Sequence, residues 1–254
     1  MMKEGMAVFL IAALSVVLAG EAGSADDRWS VEISPYFWGV STKGRVSIDG
    51  IPYPKPASFL GALQNDFDNL RDDFDANATG SVIVRTGNWL AMADFARLDV
   101  SNTIQFPMGT VSTEVESILA MLAVGYRYRQ ESLYAPTFDL FIGGRYNRHD
   151  VDIEMTPITD TSRTEEWVDP LFGATFSIYI TKWLSFSVMA NIGGFEVGSD
   201  LARETVTLFG IDLGPRVSLK GGYRWLDIEY GDEDDDFFYD VTTQGWLAGF
   251  SVRL

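Results

Sequence analysis

GWLAGFSVRL, from Gly245 to Leu254, shows the clearest alternation in the chain. Trp246, Ala248, Phe250, Val252 and Leu254 fall on one face; Gly245, Leu247, Gly249, Ser251 and Arg253 fall on the other. A strand turns successive side chains to opposite sides, so this period of two is its signature. The rhythm recurs upstream. Leu184, Phe186, Val188, Ala190 and Ile192 alternate with Ser185, Ser187, Met189, Asn191 and Gly193. Phe172, Ala174, Phe176, Ile178 and Ile180 alternate with Gly173, Thr175, Ser177 and Tyr179. Phe138, Leu140, Ile142 and Tyr146 alternate with Asp139, Gly143, Arg145 and Asn147. One face is apolar and often aromatic. The other mixes glycine, serine, asparagine and isolated charges. A soluble sandwich would dress its outer face in lysine and glutamate. A sparse, small polar face suits a crowded interior instead. Segments of about ten residues with lipid outside and polar groups inside describe a transmembrane barrel. The sheet must close, because unpaired strand edges cannot sit in hydrocarbon.

The alternating segments predict strands near 29–48, 77–86, 89–104, 112–129, 137–155, 166–181, 183–198, 201–213, 216–231 and 237–254. The expected fold is therefore all-β: a transmembrane antiparallel up-and-down barrel of ten strands, with eight or twelve as alternatives. Tight connections at 86–88, 128–136, 181–182 and 213–215 alternate with longer or more polar ones at 49–76, 105–111, 156–165, 199–200 and 232–236. Short periplasmic turns and longer outer loops alternate in this way. Trp29, Trp89 and Trp183 each open a strand on the short-turn side, where an indole sits half buried at the interface.

The chain has 254 residues, 19 basic and 36 acidic side chains, a formal charge of −17, one histidine and no cysteine. That charge argues against nucleic acid as a partner, since phosphate contacts need a basic surface. Without cysteine there is no disulfide framework, thiol nucleophile or thiolate metal site. No cofactor and no metal centre is expected. Met6 to Ala19 is the one long apolar run, too short for a bilayer span. Lys3 precedes it and small residues follow it, the layout of a secretory signal peptide cut after Ala22 or Ala25. The expected domains are a signal peptide over 1–25 and a single barrel over 26–254.

Alternation breaks at 51–75. Pro52, Pro54 and Pro56 forbid a ladder strand. Phe59, Leu63, Phe67, Leu70 and Phe74 then recur at helical spacing, which predicts a short amphipathic helix in the first outer loop, as a plug or a rim cap. Glu32, Arg85, Asp94, Arg127, Asp139, Arg145, His149, Asp169, Lys220 and Arg224 are expected to point into the lumen. In a narrow bore such charges must pair; they then either line a solute path or fill the interior. Asp232, Glu233, Asp234, Asp235 and Asp236 form an acidic run in the last outer loop, a weak cation site at most. Asn77 heads a three-residue glycosylation pattern that carries little weight. His149 beside Asp150 is the candidate general base, with a neighbouring serine as nucleophile, but no nucleophile-elbow spacing supports it.

Ser34-Pro35-Tyr36-Phe37-Trp38-Gly39, Trp167-Val168-Asp169-Pro170, Ile192-Gly193-Gly194-Phe195 with Gly198-Ser199-Asp200, and Gly222-Tyr223-Arg224-Trp225-Leu226-Asp227 together resemble a family of uncharacterised Gram-negative outer-membrane β-barrel proteins. These are loosely similar to the OmpW and PagP barrel superfamily. The resemblance implies an up-and-down barrel in the outer membrane of a Gram-negative bacterium, and carries no activity or catalytic residue with it. The C-terminal Gly249, Val252 and Leu254 also resemble the assembly signal of such barrels, which end more often in phenylalanine or tryptophan. The expected function is non-enzymatic, structural or porin-like: passive passage of a small solute through the charge-lined lumen. The alternative is a surface interaction protein whose acidic outer loops bind cations, lipopolysaccharide or a protein; a lipid-modifying enzyme is the remote one. Expected partners are outer-membrane lipid, lipopolysaccharide and the barrel assembly machinery.

Overall fold

The computed structural model describes residues 29–48, 79–106, 109–129, 134–156, 159–231 and 237–254. The expected signal peptide, the first-loop helix and the acidic run 232–236 lie outside them. Ten antiparallel strands close on themselves, each paired with its neighbour in sequence and β1 with β10. They are β1 (Ser30–Ile48), β2 (Thr79–Thr86), β3 (Trp89–Phe106), β4 (Gly109–Arg129), β5 (Thr137–Thr156), β6 (Thr159–Tyr179), β7 (Leu184–Gly194), β8 (Leu201–Asp212), β9 (Val217–Tyr230) and β10 (Phe237–Arg253). The seam is sewn down to its end, where the Leu254 amide donates to the Val31 carbonyl at 2.8 Å.

Two expected outer loops, 105–111 and 156–165, are mostly strand. β3 runs to Phe106, β4 starts at Gly109 and β6 already starts at Thr159. Composition misleads here: Thr161, Ser162 and Thr164 read as loop, yet they belong to a β-sheet wetted on one side. Conversely β7 stops at Gly194, short of the expected 198.

Strand length is therefore uneven around the barrel, and this divides the molecule into two storeys. In the lower storey all strands pair. Higher up, β1 pairs with β2 only over Ser30–Pro35, and β6 with β7 only over Leu171–Tyr179. The upper storey is two facing sheets, β9-β10-β1 with the first residues of β8 at its edge, and β3-β4-β5-β6.

The polarity of the wall reverses between the storeys. In the lower one Leu122, Val124, Leu140, Ile142, Phe172, Phe209, Leu219 and Phe250 face outward and are exposed. Trp29, Trp89, Trp183, Tyr126 and Tyr128 ring its short-turn end, and Trp246 packs edge-on against Tyr223 near its top. That apolar band flanked by aromatics is a lipid-facing belt. In the upper storey the apolar side chains point inward. Leu98, Val115, Leu119, Val151 and Trp167 from one sheet meet Leu226, Ile228, Phe237, Tyr239 and Val241 from the other in an apolar core. Arg97, Glu116, Arg148, Asp150, Glu166, Arg203 and Glu229 now lie outside, in ion pairs. The expectation of lipid-facing grease and a polar bore thus describes the lower storey alone. Above the membrane water surrounds the sheet, so burying apolar groups between the sheets lowers the free energy instead.

Candidate functional site

β1, β3, β5, β7, β8 and β9 bring six polar side chains together across the middle of the bore. The Tyr36 hydroxyl donates to Asp94 Oδ2 at 2.8 Å and accepts from Arg224 Nη1 at 2.9 Å. Arg224 also reaches Asp94 Oδ1 at 3.0 Å and, through Nε, Glu204 Oε1 at 2.7 Å. Glu204 Oε2 accepts from Arg145 and, at 2.7 Å, from Asn191 Nδ2. Asn191 Oδ1 in turn accepts from Arg145 Nη2 at 2.8 Å. The guanidinium of Arg224 lies 4.5 Å above the ring of Trp38, which is wholly buried. Two carboxylates and two guanidiniums make a neutral set. Arg145, Glu204 and Arg224 are at most 4 % exposed. The chain of contacts runs from β3 to β9, β8 and β5, so it joins opposite walls.

Below it, Glu32 accepts from Lys220 at 2.5 Å, Arg253 at 3.3 Å and Arg85 at 3.5 Å. Arg127 forks onto Asp139 with two bonds of 2.6 Å, the bidentate geometry of a strong charged pair. Above it, Asp169 is fully buried and accepts from the Ser199 amide (2.6 Å), the Ser199 hydroxyl (2.8 Å) and Asn147 (2.8 Å). Ser199 also accepts from the Trp167 indole at 2.8 Å. His149 packs against both Trp167 and Tyr239, with centroids at 5.0 and 4.3 Å, and its Nδ1 meets Ser117 Oγ at 2.9 Å. A cavity of about 10 Å³ beside Ser117, Thr42, Tyr239 and Thr243 has room for one water.

The ten charges selected from sequence thus fall at three heights. Glu32, Arg85, Arg127, Asp139 and Lys220 form the lower groups; Asp94, Arg145 and Arg224 share the central network; Asp169 and His149 lie above it. Asp150 turns outward to Arg148 and Thr164, away from His149. Sequence reasoning missed Glu204, the hub of the network. Its face-mates on β8 are Ala202, Val206 and Leu208, so the alternation disguised it as an outlier on an apolar face. It missed Asn191 and Ser199 because short polar residues on an inward face look like filler.

No family model and no curated protein matches the chain. Among solved structures, the outer membrane protease OmpT from Escherichia coli superposes with a TM-score of 0.55 at 12 % identity, over 92 % of this chain and 99 % of that one. The translocator domain of the autotransporter NalP from Neisseria meningitidis gives 0.40 at 8 % identity (98 % and 96 % covered), and Neisserial surface protein A gives 0.35 at 14 % (88 % and 96 %). The OmpT likeness is one of fold. With the exposed apolar belt, it makes this protein an outer-membrane β-barrel.

Proposed function

We propose that this is a non-enzymatic, structural barrel whose bore is shut at mid-height and which holds a stiff two-sheet wall above the membrane. The network of Asp94, Arg224, Glu204 and Arg145 carries this reading, because it joins opposite walls with side chains buried from both ends. A passing solute would have to break ion pairs that water cannot replace in so tight a space. The Ser117–His149 pair supports the same reading over lipid modification: it lies under Trp167 and Tyr239, with both residues at most 6 % exposed.

Planar bilayers test it. Wild-type protein is expected to give no conductance steps. A combined Arg145→Ala, Glu204→Ala, Arg224→Ala variant, which removes two positive charges and one negative charge, is expected to give them. Deleting 58–74 should leave the bilayer silent if the network is the barrier. Steps on that deletion alone would move the barrier to the first loop, and steady wild-type conductance would restore passive solute passage.

A surface role is the second reading, and one observation favours it. On the outward face of the upper storey Asp99 stands opposite Glu116, Glu116 opposite Asp150, and Glu114 opposite Asp152. Like charges in register destabilise a sheet, so their presence on this face suits a use outside the fold. Arg97 pairs with Glu116 and Arg148 with Asp150 on the same face. Diffuse attraction of the cations that bridge lipopolysaccharide fits such a face. Retention on lipopolysaccharide vesicles that is indifferent to chelator would remove this reading.

A further inference from the structure

The β7–β8 connection, Phe195 to Asp200, is built in an uncommon way. Phe195 and Glu196 hold φ of 56° and 59°, the left-handed region that side-chain-bearing residues rarely adopt, right after Gly194 at 94°. On its inner side the loop is tied down hard: Ser199 gives both its amide and its hydroxyl to buried Asp169. Gly198 backs onto the Val168 carbonyl so closely that a Cβ there would lie 2.6 Å from it. On its outer side two apolar residues are turned away from the protein. Val197 is 73 % exposed and Phe195 is 45 % exposed. The Phe195 ring stacks parallel on Phe172, 5.9 Å between centroids, and Phe172 belongs to the lipid-facing belt. The loop sits at the height of Val168, one step below the charged Glu166, where the belt ends.

We infer that this loop is an outer-leaflet anchor: Phe195 and Val197 insert among the acyl chains at the top of the belt. Three observations join in this. The apolar pair is continuous with the established lipid face through Phe172. The left-handed backbone at 195 and 196 accompanies side chains turned outward, away from the apolar core inside the barrel. The Asp169–Ser199 latch holds the loop in that pose, so lipid contact costs little further ordering. The sequence motif around Gly193 and Gly198 acquires a use: it makes a rigid hook over the rim where β7 and β8 stop short.

The cysteine-free chain makes the test clean. Single variants Phe195→Cys and Val197→Cys are labelled with a nitroxide and reconstituted in dimyristoylphosphatidylcholine vesicles. Collisions with oxygen, which partitions into lipid, are compared with those of a water-soluble nickel chelate. Leu140→Cys, in the middle of the belt, and Ser162→Cys, on the wetted upper face, give the two reference values. Labels at 195 and 197 are expected to favour oxygen severalfold over nickel and to group with Leu140. Grouping with Ser162 would overturn the anchor, and so would shielding from both reagents, which would mean a protein neighbour. If the Leu140 label itself meets nickel, the belt assignment has failed and not the loop.

Discussion

Glu204→Ala will destabilise the barrel by about 3–5 kcal/mol, the cost of leaving buried charge without its partner. The measurement is urea unfolding in detergent micelles, followed by tryptophan fluorescence. Glu204 is the counter-charge of both Arg145 and Arg224, and all three are nearly sealed from water. Removing it leaves two guanidiniums facing each other with Asp94 alone to balance them. Asn191 loses an acceptor as well. Glu32→Ala is the comparison that gives the number meaning. Glu32 also binds several cations, but Arg85, Lys220 and Arg253 keep 21 %, 27 % and 44 % of their side-chain surface. Water can reach them, so about 1–2 kcal/mol is expected there, nearer the worth of an ordinary charged hydrogen bond. Equal losses at 204 and 32 would mean that the central network is wetter than its burial implies.

An arginine walked up β5 should read out the change of polarity between storeys. Ile142→Arg, in the belt, is expected to cost about 2–4 kcal/mol, the price of a cation facing mid-bilayer lipid. Asp152→Arg, on the same outward face higher up, should lie within about 0.5 kcal/mol of wild type. Val151→Arg points inward between the sheets, where no exposed surface remains, and should cost about 3–5 kcal/mol. A barrel with one polarity along its whole length would give another order: 151 tolerant in a polar bore and 152 intolerant. Refolding yield into micelles and the unfolding midpoint report the order directly.

β5 also shows how much of this was legible before any coordinates. Phe138, Leu140 and Ile142 announce a strand with one greasy face, and the antiparallel ten-stranded closure follows from repeating that reading. The later residues carry a second message: Val151 and Ile153 are apolar and Asp152 and Glu154 acidic, the opposite phase to Leu140 and Ile142. Nothing slips in the ladder between them. Period two fixes which residues share a face but leaves open which face meets which solvent, so a phase reversal inside one strand is easily taken for noise. The pairing of charges was less legible. Arg127 with Asp139 joins neighbouring strands, whereas Asp94 with Arg224 spans 130 positions and requires knowledge of which strands stand opposite. Asp169 offered a composition cue, an acid two residues from Trp167, but one of its three donors, the Ser199 amide, is a backbone group that no residue pattern encodes.

The reversal of polarity along the wall gives the molecule a waterline. Were it to sink by a single pair of residues, Arg148 and Glu166 would enter hydrocarbon; were it to rise as far, the rings at its lower rim would be hauled out of their interface. Bilayer thickness therefore has to adapt to the protein, because the protein's draught is set on every long strand at once.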